Sequence, residues 1–160
     1  MRKPLTAKIL TGIGNMFHFR MYLFAAVLTT GIVACDRGKM ANEDKKMVNA
    51  SRENILQMII DHNDVQTYLH PEVAGRVPLM IISNEDTSGL DVEFYGKPVK
   101  FVSKADVSED AAVLEVDKLS INDGNAEFLL HYNIEGVEIK GAAIRKDAEW
   151  VLDDILVSEH

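Results

Sequence analysis

Hydrophobic positions along this chain change their period twice. Met21 to Ala34 is an uncharged run, Met-Tyr-Leu-Phe-Ala-Ala-Val-Leu-Thr-Thr-Gly-Ile-Val-Ala, with no periodicity at all. From Asn42 to His70 there is neither Gly nor Pro. Here Met47, Ser51, Ile55, Met58, His62, Val65 and Leu69 recur at spacings of four and three, which stacks them on one helical face. Leu56, Ile59 and Ile60 widen that stripe. The pattern predicts one long amphipathic helix with Asn42 as N-cap and Glu43 and Asp44 in its first turn. A break near Asn63-Asp64 fits the same pattern, and the helix must end before Pro71. A short second helix near Pro71–Arg76 is an alternative continuation.

Beyond Pro78 the period drops to two. Leu79-Met80-Ile81-Ile82 is a short apolar run closed by turn-like Ser83-Asn84-Glu85-Asp86, and Asp91 to Tyr95 alternates until Gly96. Val99 to Ser103 is another short extended piece. The final fifty or so residues carry the clearest pattern. Ala111–Ile121, Asn125–Ile134, Val137–Arg145 and Glu149–Val157 are extended stretches. Asn122-Asp123-Gly124, Glu135-Gly136 and Lys146-Asp147-Ala148 separate them, which predicts a four-stranded antiparallel meander. Phe128 with Leu129, Trp150 with Val151 and Leu156 with Val157 are apolar on both faces of their strands. One face must therefore pack on something, and the amphipathic helix is the available partner. The fold class is α+β: a long N-terminal helix packed on a curved antiparallel sheet.

Charge divides the chain sharply. Residues 1–35 hold Arg2, Lys3, Lys8 and Arg20 and no acidic residue. Residues 36–160 hold the other 13 basic residues against all 25 acidic ones, a net charge of −12. Such acidity argues against nucleic acid and anionic lipid surfaces as partners, since both select basic patches. The apolar run, 14 residues long, would span only about 21 Å as a helix, short of the roughly 30 Å of a bilayer core. That is the length of a signal-peptide core, and it has basic residues before it and small ones at its end.

The residues closing the run, Ile32-Val33-Ala34-Cys35, resemble the lipobox of bacterial lipoproteins. The resemblance implies cleavage before Cys35, a thioether from its sulfur to diacylglycerol, and acylation of the new amino terminus. Two or three acyl chains hold a protein where one holds it only marginally. Cys35 is the only cysteine, which rules out an intrachain disulfide and a Cys-based metal site. Translation starting at Met1 leaves a long basic region before the run; starting at Met16 gives a more compact signal. Asp36 resembles the inner-membrane retention signal of enterobacterial lipoproteins. The expected organisation is a signal over 1–34, a lipid-anchored tether over 35–42 and a periplasm-facing domain over 43–160.

The helix, the irregular middle and a meander ending in a Lys-x-x-x-x-Trp-Val-x-x-x-Ile run (Lys146 to Ile155) are similar to an NTF2-like or cystatin-like domain. That resemblance covers roughly residues 43–157 and is architectural. It implies a curved sheet wrapped around a helix, with a conical pocket that some members use for catalysis and many for binding or assembly. One departure stands out: those domains carry two or three early helices, and the pattern here supports one.

Candidate chemistry is sparse. His62, His70, His131 and His160 show no metal-ligand spacing; the gap between His62 and His70 sets them some 80° apart around a helix. No metal and no cofactor is expected. There is no Gly-x-Ser-x-Gly elbow, and Ser83, Ser103 and Ser120 have no nearby base. Gly12-Ile13-Gly14 falls in the signal, so no phosphate loop remains. General acid–base work is the residual possibility. Strand alternation puts Glu127, Leu129, His131 and Asn133 on one face and Ala126, Phe128, Leu130, Tyr132 and Ile134 on the other. If the first face lined a cone, His131 could meet Asp117 or Asp153, a base with its orienter. The second face is the better core, which sends His131 outward, and Asp153-Asp154 then reads as a solvated strand end or bulge. Three functions follow in order. The first is a non-catalytic binding or assembly module for a periplasmic protein or small ligand, of immunity type in one version. The second is an enzyme using a pocket around His131, and the third a structural envelope lipoprotein.

Overall fold

The computed structural model describes residues 37–160, with side chains from residue 42. The signal segment and Cys35 lie outside the described residues. The domain is α+β, with two helices and a six-stranded mixed sheet that does not close. No described helix is long and apolar enough to cross a membrane.

Helix α1 spans Arg37–Ile60, so Asn42 lies within it rather than at its start. Ile55, Leu56, Ile59 and Ile60 are all fully buried, whereas Met47 is 63% exposed. The stripe expected from Met47 onward therefore holds only in the last turns. Among the described residues of the earlier turns, Met47 and Val48 are exposed, and Arg52 and Glu53 meet the polar loop at Asp86 and Asp91 rather than the apolar sheet face. Backbone breaks at Asp61-His62, where His62 is extended, and α2 (Asn63–Leu69) continues with Val65 and Leu69 buried. His70 ends it in the left-handed region, and Pro71–Arg76 forms turns rather than a helix.

Eight strands follow: β1 (Met80–Ile82), β2 (Glu93–Phe94), β3 (Lys97–Pro98), β4 (Lys100–Val102), β5 (Val113–Asn122), β6 (Asn125–Tyr132), β7 (Val137–Lys146) and β8 (Glu149–Glu159). The main sheet runs β4-β1-β5-β6-β7-β8, and β2 and β3 form a small hairpin apart from it. The meander β5 to β8 is antiparallel, as its short turns require. The whole sheet is not, which corrects the expectation of an antiparallel sheet. β1 pairs in parallel with both β4 and β5. The β2–β3 excursion carries the chain back to the end of the sheet where β1 begins, so β4 enters in the same direction.

Helix side chains complete that excursion. Gln57 accepts from the Glu93 N–H (2.9 Å) and donates to the Glu93 carbonyl (3.0 Å), standing in for a neighbouring strand. Arg52 holds Asp86 at 2.5 Å. The core lies between α1, α2 and the inner sheet face, where Leu114, Val116, Leu119, Phe128, Leu130, Tyr132, Val137 and Ile139 are buried. Ile134, expected on that face, is 42% exposed, because β6 ends at Tyr132 and the chain has already turned.

Two bulges shape the sheet. In β5 the register slips between Val116 and Lys118, so Asp117 is the extra residue. In β8 the slip opposite Ala142 and Ala143 makes Asp153 the extra residue. The second bulge brings the Asp154 carbonyl over Gly141: a Cβ there would stand 2.1 Å from that oxygen and 2.7 Å from the Phe128 ring. Only glycine fits that approach.

Candidate functional site

The outer face of the meander carries the titratable cluster. Cross-strand register places His131 of β6 between Glu115 of β5 and Glu138 of β7. In a regular strand Asp117 would lie one pair further along. The bulge turns both Asp117 and Lys118 outward, and Asp117 reaches His131 Nδ1 in a very short contact. His131 Nε2 lies 3.4 Å from Glu138. Glu138 also binds Lys140 at 2.8 Å and lies 3.7 Å from His160, whose backbone N–H donates to the Gly136 carbonyl at 2.9 Å. The hydrogen bond from Lys140 is the main cause holding the Glu138 carboxyl below its usual range, with the charges of Lys140, His160 and His131 adding to it.

A side-chain clip stands beside the β5 bulge. Asn84 Oδ1 accepts from the Asp86 and Thr87 N–H groups, and Asn84 Nδ2 donates to the Val116 carbonyl at 2.7 Å. Thr87 is fully buried and its hydroxyl donates to the Ile82 carbonyl at 3.1 Å. The clip pins the loop after β1 to the carbonyl immediately before the extra residue, and so helps position Asp117.

Beside His131 lies a cleft of about 220 Å³, lined on one side by Val113, Glu115 and Asn133 and on the other by Lys104, Val107 and Ser108. Asn133 builds its wall, accepting from the Val113 N–H and donating to the Ala111 carbonyl, both at 2.8 Å. Lys104 spans the cleft to Glu115 at 2.7 Å, and that hydrogen bond raises its pKa.

Asp117 therefore meets His131 and Asp153 does not, which corrects that half of the expected pairing. The row that holds His131 and Glu138 continues to Ser158 of β8, so Asp153 lies well along that strand and on the far side of β7. Strand patterning missed Glu115, Glu138, Lys104 and the Asn84 clip. One trace was present: Leu114-x-Val116-x-x-Leu119-x-Ile121 slips by one residue where the bulge falls. His62 and His70 stand at opposite ends of α2, each nearest its own carboxylate, Asp64 at 3.9 Å and Glu72 at 2.8 Å. Among the described residues, no group of three or more His, Cys, Asp or Glu side chains is placed to hold a metal ion.

Both nitrogens of His131 face carboxylates of the sheet itself. A base needs a free lone pair directed at its substrate; Asp117 engages Nδ1, and Nε2, which makes no hydrogen bond, has the Glu138 carboxylate 3.4 Å away where a substrate would approach. The cluster is built as an ion network on a half-exposed surface. Compared with models of known families, with curated proteins and with solved structures, the chain matches none.

Proposed function

We propose that the chain is the precursor of a bacterial lipoprotein, cut before Cys35, whose NTF2-like domain is a non-catalytic binding module held at the periplasmic face of a membrane. The observation that carries the non-catalytic part is the placing of His131, the best candidate base, on the outer sheet face, with Nδ1 bound to Asp117 and the Glu138 carboxylate 3.4 Å from Nε2. The inner face, where an NTF2-like pocket would open, is filled by Ile55, Leu56, Ile59 and Phe128. The lipobox and the signal-length apolar run support the anchor, and Asp36 favours the inner membrane. The partner is a periplasmic protein or small ligand, and the strongly negative domain favours a basic one by speeding its approach.

Growth of cells expressing the full chain with clickable palmitate tests the anchor: the protein takes up label, and Cys35→Ser gives an unlabelled precursor. Equal label in the mutant ends the lipoprotein reading. An enzyme reading keeps one point in its favour, the contact of Asp117 with His131 beside the 220 Å³ cleft.

A further inference from the structure

The two edges of the sheet differ. β4 is only three residues long. β8 is eleven residues long and pairs only with β7, and among the described residues no hydrogen bond reaches its outer edge. A long free edge offers a ladder of N–H and C=O groups to any strand that can lie beside it. The Asp153 bulge interrupts that ladder once and leaves β8 extended on either side.

Along this edge α1 and α2 leave a seam of two open depressions, about 680 and 310 Å³, which share Asp64. The first is lined by Asp61, His62, Trp150 and Leu152 among others, the second by Tyr68, Ile155 and Val157. No Lys or Arg lines either one. β8 itself carries Glu149, Asp153, Asp154 and Glu159 and no basic residue. The edge is thus guarded against its own copy, since antiparallel pairing of two β8 strands would set carboxylates against carboxylates. It is not guarded against a cationic strand. Trp150 and Tyr68 are partly buried and each lines one of the depressions, so a lysine or arginine docking there meets aromatic side chains as well as carboxylates.

We infer that the edge of β8 and the adjoining seam form a docking surface for a basic extended segment, which adds to the sheet as a strand and sets its cations near Asp61 and Asp64. This rests on the domain being a binding module and names its surface and the chemistry of its partner.

Trp150 is the only tryptophan and lies in the seam, so it reports occupancy directly. The full chain in detergent is titrated with a ten-residue peptide alternating lysine and valine, and tryptophan fluorescence is followed. The expected result is a saturable shift whose Kd weakens at least tenfold when alternate peptide nitrogens are methylated, and at least tenfold in Asp61→Asn/Asp64→Asn. Asp106→Asn/Asp110→Asn removes the same charge elsewhere and leaves Kd within twofold. No saturable shift overturns the proposal. So does equal binding of the methylated peptide, which leaves charge attraction without strand addition, and so does equal weakening by both double variants. Unchanged melting temperatures exclude misfolding as the cause. Failure of this titration alongside normal palmitate labelling removes the surface and leaves the anchored domain.

Discussion

The two faces of β6 obey different rules. Inward, Ala126, Phe128, Leu130 and Tyr132 are at most 3% exposed and pack under α1 and α2. Outward, Glu127, Leu129, His131 and Asn133 are partly or fully open, and all but Leu129 are held by hydrogen bonds to side chains or backbone of neighbouring segments. Burial selects the inner residues by size and polarity alone. The outer ones are selected by what stands opposite, and that depends on register. The inner face fixes the fold; the outer face carries what chemistry there is.

The inner face should break hardest. Phe128→Ala removes a ring that fills the space over Gly141, and it should cost about 3–5 kcal/mol. Glu127→Ala, one residue away, should stay within about 0.5 kcal/mol. Urea denaturation of both variants checks the contrast, and comparable losses would mean the faces are not distinct. Gly141→Ala comes next. Its new methyl would meet the Asp154 carbonyl backbone, and β8 must shift to admit it, at about 2–3 kcal/mol. A melting curve unchanged from the parent would mean that the second bulge is not held tightly.

This division explains what was legible in the sequence. The meander was, because Asp123-Gly124 and Asp147-Ala148 are turns between alternating stretches, and alternation assigned Phe128, Leu130 and Tyr132 inward. The mixed sheet was not. Nothing local in Leu79–Ile82 or Val99–Ser103 states whether two short strands pair in parallel, since the direction comes from the path between them. The helix was legible in its last turns, where Ile55, Leu56, Ile59 and Ile60 meet the sheet. Met47 shares their period without sharing their neighbours. His131 with Asp117 was legible only as one of two pairings, because the choice rested on bulges fixed by long-range contacts such as Asn84 to Val116.

The clip tests whether one face controls the other. Asn84→Ala frees the Val116 carbonyl and two loop N–H groups together, and should cost about 1–3 kcal/mol. Its second effect should appear on the outer face. If the clip holds the bulge, Asp117 loses its aim, and the ring resonances of His131 in NMR spectra should move in the variant. Unmoved resonances would show that Asp117 is placed by β5 alone.

A smaller effect separates the faces by pH. Glu127 and Glu138 titrate below the ordinary 4.5, chiefly because Lys118 and Lys140 hydrogen-bond them. A carboxyl whose proton binds more weakly in the folded state stabilises above its unfolded pKa and loses that contribution as pH falls. Stability should therefore decline below pH 4.5, and Lys140→Met should flatten part of the decline. Tyr132, on the inner face, has its pKa pushed above the ordinary 10.0 by burial, against the pull of Arg76, whose guanidinium sits 3.0 Å from the hydroxyl. Its contribution is complete below pH 10 and is lost as pH rises through its folded pKa. Thermal melts across pH should show the acid limb respond to Lys140→Met and the alkaline limb to Tyr132→Phe, and a crossed response would undo the assignment.

A small expected effect is the most telling about His131. Its side chain is 45% exposed, its partner Asp117 is 37% exposed, and pairs open to water at that level contribute about 0–1 kcal/mol. His131→Ala should therefore lower stability by less than about 1 kcal/mol, while Leu130→Ala, on the same strand but inward, should cost about 2–5 kcal/mol. Removing the imidazole also leaves Asp117, Glu115 and Glu138 closer to mutual repulsion, so added salt should recover most of the loss. A deficit that salt does not touch would mean the ring is packed rather than paired, and the outer face would then hold a second core.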